Sequence, residues 1–178
     1  VADGSPIRTF SRSQSISHFF SAAFSPDDKR IITGVEGADA IVWDAATGSE
    51  IISVRGLEAV AFSPDGSQLL TTQLGRGAPL SNGAAVWDAT TGAQIRTFIN
   101  IPGTPPPASD YLNSAAFSRD GTKVITGSSN DATVRVWDIA TGRELIRFPG
   151  CGASTISTSP DGVHILTGDP HFGGTVVM

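Results

Sequence analysis

Short apolar runs alternate with polar, turn-forming residues along the whole chain. The runs are rich in Val, Ile, Thr and Phe, and this pattern predicts strands. One run in each repeating unit places two apolar residues side by side, as in Ile31-Ile32, Leu69-Leu70, Val124-Ile125 and Ile165-Leu166. Adjacent residues of a strand point to opposite faces, so both faces of each predicted sheet are covered. Apolar residues do not recur at the 3.6-residue spacing of a helix. The sequence therefore predicts an all-β fold.

A tight-turn motif follows the first strand of each unit. It has the form Ser-Pro-Asp-Gly, in which Pro presets φ, Asp binds nearby backbone groups and Gly adopts a positive φ. Asp28 replaces Gly in the first copy, and Asp is among the residues that tolerate this conformation. The motif begins at Ser25, Ser63, Ser118 and Ser159, with Arg119 in place of Pro in the third copy.

A second motif, Trp-Asp-x-x-Thr-Gly, follows the third strand of the first three units. Its Asp carboxylate is placed to accept hydrogen bonds from backbone N–H groups of a turn. All three tryptophans of the chain occupy this motif, so we interpret them as core residues rather than ligand platforms. The three copies start at Trp43-Asp44, Trp87-Asp88 and Trp137-Asp138.

These units have the properties of propeller blades. A blade is a four-stranded sheet of about 40 residues, and copies of itself cover it on both faces. The two motifs, recurring in register, resemble the tryptophan–aspartate (WD) repeat family. The resemblance implies a β-propeller of four-stranded antiparallel blades, with about four blades' worth of strands in this chain. We expect repeats at residues 18–54, 55–98, 112–148 and 153–178, with 5–10 as a leading outer strand.

The resemblance also implies a buried network in which a His joins a Ser or Thr, an Asp and the Trp of a blade. The family usually carries a Gly-His dipeptide before the first strand of a blade, and this chain has none. We expect the network chiefly in the third repeat, at Thr126, Asp131 and Trp137. The other repeats have Gly37, Ser81 and Gly173 at the place of Asp131. The expected structural residues are Trp43, Asp44, Trp87, Asp88, Trp137, Asp138, Asp131 and Thr126.

The two ends of the chain carry complementary parts of a blade. We letter the strands of a blade a to d, from the centre outward. The segment Ile7–Phe10 matches the sequence of the d strand Gln94–Phe98, whereas the last repeat reaches only its c strand, Thr175–Met178. The alignment places the fourth tryptophan position directly after Met178. We expect Ile7–Phe10 to be the outer strand of the sheet that contains Thr175–Met178, which leaves no free edge. Three arrangements stay open: a part of a longer propeller, an eight-bladed ring of two copies, and a closed four-bladed monomer.

The side chains offer little for catalysis. The net charge of −5 disfavours nucleic acid, which needs a positive surface, and no apolar run is long enough to span a membrane. His18, His164 and His171 form no recognisable ligand set, and Cys151 has no partner in the sequence. We therefore expect no catalytic residue, no metal, no cofactor and no enzyme activity. The first residues lack the pattern of a signal peptide, so we expect a cytoplasmic protein.

Two long segments mark the second repeat. In the family, the b–c turns and d–a links lie on one face of the ring, the top face, and this repeat is longer than the others at both places, in 73–83 and 99–111. Long loops on a rigid scaffold are where binding sites concentrate, although insertions are also tolerated without a role. The expected partner-binding residues are Leu74, Arg76, Leu80, Ile101 and Tyr111.

Two classes of function follow. The resemblance implies a non-catalytic scaffold that binds a protein or peptide partner through the top face. The alternative is an enzyme or small-ligand-binding propeller that uses the central channel. The a strands that would line this channel hold no pair of ionisable residues, and catalysis is hard to build without such groups. These strands are Ala22–Phe24, Ala59–Phe62, Ala115–Phe117 and Ile156–Thr158.

Overall fold

The computed structural model describes residue 10 and residues 19–35, 39–55, 60–73, 83–99, 112–128, 131–151, 153–169 and 173–177. Every regular element in these ranges is a β-strand, and fifteen strands are present. The predicted all-β fold is confirmed.

The strands form four antiparallel sheets, and each sheet contains strands that are consecutive in the chain. We number the sheets blade 1 to blade 4. Blade 1 contains β1 (Phe19–Phe24), β2 (Arg30–Val35), β3 (Ala40–Asp44) and β4 (Glu50–Val54). Blade 2 contains β5 (Val60–Phe62), β6 (Gln68–Gln73), β7 (Gly83–Asp88) and β8 (Gln94–Ile99). Blade 3 contains β9 (Leu112–Phe117), β10 (Lys123–Ser128), β11 (Thr133–Asp138) and β12 (Glu144–Pro149). Blade 4 has three strands in the described residues, β13 (Thr155–Thr158), β14 (Ile165–Asp169) and β15 (Gly173–Val177).

The first three blades share one strand register. The first apolar residue of each b strand pairs with the tryptophan of the c strand: Ile31 with Trp43, Leu69 with Trp87, and Val124 with Trp137. At each tryptophan the outer strand contains one extra residue, which is a β-bulge. The extra residues are Ile51, Ile95 and Leu145, and all three side chains are exposed. The three tryptophans therefore occupy equivalent places in successive blades.

The apolar core lies between the blades. Neighbouring residues of one strand face in opposite directions, since Leu69 packs with Ile32 of blade 1 whereas Leu70 packs with Phe117 of blade 3. Between blades 3 and 4, Ile125 packs against Ala153. Both faces of blades 2 and 3 are thus covered by neighbouring blades, as expected for a β-propeller of four-stranded units.

The Ser-Pro-Asp-Gly segments form the predicted turns between a and b strands. The Ser63 hydroxyl donates to Asp65 Oδ1 at 2.6 Å and accepts a hydrogen bond from Gln68 N at 2.9 Å. The fourth turn position is in the left-handed region, with φ of 58° at Asp28 and 73° at Gly66. This conformation closes the turn and starts the next strand in register.

Blade 4 departs from the sequence alignment. Val177 pairs with Ile165 and therefore occupies the place that a tryptophan takes in the other blades. The alignment put this place directly after Met178, and that prediction is wrong by two residues. The physical reason is the connection before β15, which is short enough to pair Asp169 with Gly173.

Phe10 packs against blade 1. Its ring centroid is 5.9 Å from that of Trp43, with the planes tilted by 56°. Phe98 of the outer strand of blade 2 makes a similar contact with Trp137 of blade 3, at 5.8 Å and 45°. Phe10 thus stands where the outer strand of a preceding blade would place it. Residues 7–9 and 178 lie outside the described residues, so the pairing of Ile7–Phe10 with Thr175–Met178 stays a prediction.

Candidate functional site

Each tryptophan is buried and donates a hydrogen bond to a threonine of the neighbouring b strand. The distances from Nε1 to Oγ1 are 2.8 Å for Trp43–Thr33, 2.9 Å for Trp87–Thr71 and 2.8 Å for Trp137–Thr126. A buried indole N–H needs such a partner. Only Thr126 was predicted from the sequence, whereas Thr33 and Thr71 were not, although a Thr follows the apolar pair in every repeat.

Asp131 belongs to an ion-pair network on blade 3. Its carboxylate accepts hydrogen bonds from the Thr133 hydroxyl at 2.7 Å and from Arg135 Nη2 at 2.8 Å. Arg135 is buried, and its Nη1 also lies 3.4 Å from Glu144 Oε2. A buried guanidinium is stable only when carboxylates or other acceptors surround it. Arg135 was not predicted from the sequence, because the equivalent residue is Ile41 in blade 1 and Ala85 in blade 2.

The aspartates of the Trp-Asp motif hold the turns between c and d strands. Asp88 Oδ1 accepts hydrogen bonds from Thr91 N at 2.7 Å and from the Thr91 hydroxyl at 2.9 Å. Asp44 and Asp138 do the same with the threonines of their own turns. These bonds favour the ionised carboxylate, and so the Thr91 amide lowers the pKa of Asp88 and the Thr141 hydroxyl lowers that of Asp138. The geometry gives these aspartates a structural role.

The five expected partner-binding residues, Leu74, Arg76, Leu80, Ile101 and Tyr111, lie outside the described residues. The strand ends that bound their segments are described. Gln73 pairs with Gly83, and Gly83 pairs with Ile99, so these three strand ends stand side by side at one end of blade 2. Leu112, the first residue of β9, is buried against blade 2. Both long segments therefore connect to the same end of neighbouring strands.

Arg55 lies at the same end of blade 2. Its backbone oxygen accepts a hydrogen bond from the Thr71 hydroxyl at 2.9 Å, which joins the link after blade 1 to the b strand of blade 2. The Arg55 residue itself is exposed. Arg55 was not predicted from the sequence, because its position next to Thr71 depends on packing between two blades.

An open cavity of about 520 Å³ lies between the inner strands of the four blades. Its wall is mostly apolar, and its rim contains the turns between the a and b strands. The wall includes Phe24, Ala61, Phe62, Ala115, Phe117 and Ile156, and the rim includes Pro26, Pro64, Arg119 and Pro160. Among the described residues that line the cavity, Arg119 is the one ionisable residue. This is the channel predicted from the sequence.

The remaining polar candidates are Cys151 and the three histidines. Within the described ranges no three His, Cys, Asp or Glu residues come together as a metal site would require. Cys151 is half-buried beside the cluster between blades 3 and 4, and His164 Nδ1 lies 3.9 Å from Asp161. His18 and His171 lie outside the described residues. No helix in the described part of the chain has the length and apolar character to cross a membrane.

Comparison with known proteins agrees with the repeat. The family profile described as "WD domain, G-beta repeat" matches residues 4–44 and 99–138. The chain contains WD repeats in these two regions. This WD-repeat chain is also similar to "Centriole proteome protein 16" of Chlamydomonas reinhardtii, with 44% identity over 62 residues. The match covers 33% of the chain and 3% of that relative, so the chain spans a small fraction of the relative's length.

Proposed function

We propose that this WD-repeat chain is a non-catalytic scaffold that binds a protein or peptide partner through the top face of blades 2 and 3. The observation that carries the proposal is the register of Gln73, Gly83 and Ile99, which are neighbours across three paired strands. Segments 74–82 and 100–111 begin and end at these strands. Loops that leave a rigid sheet at one place are suited to form one surface.

The chemistry of the segments supports a protein partner. Leu74, Leu80, Ile101 and Tyr111 are apolar or aromatic, and Arg76 adds a guanidinium. Tyr and Arg are among the residue types enriched at binding hot spots. The exposed Arg55 at the same end of blade 2 adds a second cation. We therefore expect a partner that presents carboxylates beside apolar side chains.

The described channel supports the non-catalytic part of the proposal. Its described lining consists of Ala, Phe, Ile, Pro, Ser and Thr side chains and of one ionisable residue, Arg119. General acid–base catalysis needs titratable groups within reach of a substrate. Among the described lining residues, no acid is placed to work with Arg119. These observations favour partner binding at the top face over catalysis in the channel.

The experiment is a comparative capture of partners. Two forms of the chain are immobilised: the intact chain, and a variant whose 74–82 and 100–111 segments are shortened to the lengths of the third repeat. A control variant carries Ile95→Ala and Leu145→Ala, two exposed residues that lie on outer strands at the end opposite to Gln73, Gly83 and Ile99. We expect the shortened variant to lose its partners and the control to keep them, with melting temperatures unchanged. Equal recovery by the shortened variant and the intact chain would refute the proposal.

A further inference from the structure

One position of the c strand carries a charge in blade 3 and an aliphatic side chain in blades 1 and 2. Arg135 in blade 3 corresponds to Ile41 and Ala85, since each of the three pairs with the threonine that accepts the tryptophan hydrogen bond. Ile41 and Ala85 are fully buried, and Arg135 is 4% exposed. An aliphatic residue thus fills this position in two blades, so a blade does not need a guanidinium there to form.

Burial of the guanidinium costs free energy that its two carboxylate partners must offset. Arg135 Nη2 lies 2.8 Å from Asp131 Oδ2, and its Nη1 lies 3.4 Å from Glu144 Oε2. The side chains of Asp131 and Glu144 are 21% and 26% exposed, so both also reach water. Replacing a buried ion pair by aliphatic residues is often neutral or stabilising. The stability of blade 3 is therefore a weak reason for a cation at this position.

Arg135 is bonded to the turn between β10 and β11. The Asp131 carboxylate in this turn also accepts hydrogen bonds from the Thr133 amide at 3.1 Å and from the Thr133 hydroxyl at 2.7 Å. The next residue, Ala132, has a φ of 49°, which is unfavourable for an L side chain. Its carbonyl oxygen accepts a hydrogen bond from the Cys151 amide at 3.0 Å. Arg135 and Asp131 thus hold a backbone conformation that the chain does not favour by itself.

This turn lies beside the end of the long segment 100–111. Leu112, the first residue of β9, pairs with Ser128, the last residue of β10. Ser128 pairs with Thr133, and Thr133 pairs with Pro149. These four residues stand side by side across the top of blade 3, at the end where segment 100–111 reaches the sheet. The turn therefore adjoins the proposed binding face.

We propose that Arg135 is a positioning residue of the top face: through Asp131 it holds the b–c turn of blade 3 in the conformation that the partner contacts. The inference rests on the proposed function and adds the top of blade 3 to the binding face. Arg135 itself is buried and acts through the turn rather than by touching the partner. The position carries a cation because Asp131 must be fixed, whereas an aliphatic residue is enough for packing alone.

Cys151 supplies a reporter of the turn that needs no partner. It is the one cysteine in the sequence, it is half-buried, and its amide is bonded to Ala132. The rate at which an aromatic disulfide reagent modifies its thiol measures how often the turn opens. Arg135→Ile and Asp131→Ala should each raise this rate about tenfold or more, because a charge-assisted hydrogen bond that closes the turn is lost.

Three further measurements separate positioning from a general loss of stability. The denaturation midpoint of Arg135→Ile should equal or exceed that of the wild type, since an aliphatic residue suits the position. Arg135→Lys, which keeps a cation beside Asp131, should react with the reagent more slowly than Arg135→Ile. The control Arg147→Ala should keep the wild-type rate, because Arg147 is bonded to Glu144 of the outer strand. A midpoint that falls as the rate rises would give Arg135 a structural role only and overturn the proposal.

The partner recovered with the intact chain is the probe for binding. Arg135→Ile and Asp131→Ala should each raise its dissociation constant about tenfold, and the double variant no further, because both act through one turn. Wild-type thiol reactivity or wild-type affinity in Arg135→Ile, while the shortened-segment variant loses the partner, would overturn this proposal and leave the proposed function in place. If the shortened-segment variant keeps the partner, the proposed function fails, and the thiol rate still decides whether Arg135 holds the turn.

Discussion

A single hydrogen bond fixes each tryptophan in its blade. The indole N–H of Trp87 is buried and donates to the hydroxyl of Thr71, and the equivalent bonds occur in blades 1 and 3. Leaving a buried donor without an acceptor costs more than the bond itself contributes. The threonine after the apolar pair therefore belongs to the buried structure of the blade together with the tryptophan.

Replacing Thr71 by Val tests this bond with little change in volume. The substitution removes the acceptor of Trp87 Nε1 and the donor to the Arg55 carbonyl. We expect the free energy of unfolding to fall by about 1–3 kcal/mol. Denaturant titration measures it, with Thr90→Val at an exposed turn position as the control. A loss no larger than that of the control would mean that water satisfies the indole.

The backbone conformation of the fourth residue in the a–b turn also affects the free energy of unfolding. At Gly66, φ is 73°, and a Cβ would lie 3.3 Å from Pro26 Cδ. Gly66→Ala should lower the unfolding free energy by about 1–2 kcal/mol, because left-handed backbone is unfavourable for an L side chain. The reverse change, Asp28→Gly, removes a side chain from this region and should cost less than Gly66→Ala. The free energy of unfolding is measured by denaturant titration. An equal loss in the two variants would contradict the claim that the left-handed backbone favours glycine at this turn position.

At the scale of the elements, arginines join consecutive blades. Arg30 of blade 1 donates to the carbonyl oxygens of Ala89 at 3.0 Å and Gly66 at 2.7 Å, both in blade 2. Arg96 of blade 2 donates to the carbonyl oxygens of Ile139 at 3.1 Å and Ala140 at 2.7 Å in blade 3. These guanidinium groups satisfy turn carbonyls of the next blade, and they tie the orientation of one sheet to its neighbour.

Arg96→Ala should lower the unfolding free energy by about 1–2 kcal/mol, since two charge-assisted hydrogen bonds between blades are lost. Arg147→Ala is the matched control. Arg147 is half-exposed and pairs with Glu144 of its own strand, so its removal should cost less than that of Arg96. Chemical denaturation compares the two variants. A larger loss for Arg147→Ala would contradict the role given to the contacts between blades.

The aspartates of the a–b turns make the stability of the fold depend on pH in the acidic range. The Ser63 hydroxyl, followed by the Ser67 amide, lowers the pKa of Asp65 to about 2, and the Ser118 hydroxyl holds the pKa of Asp120 well below its usual value. A carboxylate whose pKa is lower in the folded chain stabilises the fold above its unfolded pKa of about 3.9. That contribution is lost as the pH falls through the folded pKa.

The denaturation midpoint should therefore stay constant above about pH 5 and fall steadily toward pH 2. In the double variant Asp65→Asn and Asp120→Asn the decline should be shallower, because two titrating groups are gone. Asp39→Asn, an exposed residue outside these turns, is the control and should keep the wild-type slope. Parallel acid profiles for the double variant and the wild type would show that these turns do not control acid stability.

At the scale of the whole molecule, the repeat predicted most of the fold. Two motifs in register predicted the blade, the turn conformations and the position of each tryptophan, because these depend on residues close in the chain. The contacts of Arg30 and Arg96 depend on the angle between blades, which no local pattern contains. The register of β15 was also mispredicted, because blade 4 has no tryptophan to mark it.

The binding face was inferred from where the chain is long rather than from its side chains. Strand pairing at Gln73, Gly83 and Ile99 locates the ends of both long segments at one end of blade 2. The position of the exposed Arg55 is seen only in the structure, where its carbonyl oxygen accepts a hydrogen bond from the Thr71 hydroxyl. The proposed function depends on rigid sheets whose long connections leave at the same end.

The affinity for a captured partner is the measurement that decides whether the top face of blades 2 and 3 binds. It is determined by calorimetric titration for the intact chain and for the variant Leu74→Ala, Arg76→Ala and Tyr111→Ala. We expect a loss of about 2–4 kcal/mol in binding free energy, because hot-spot side chains carry most of it. The control triple variant Ile51→Ala, Ile95→Ala and Leu145→Ala, on the exposed outer strands, should bind like the wild type. An unchanged affinity for the first variant, with its melting temperature preserved, would contradict the proposed binding face.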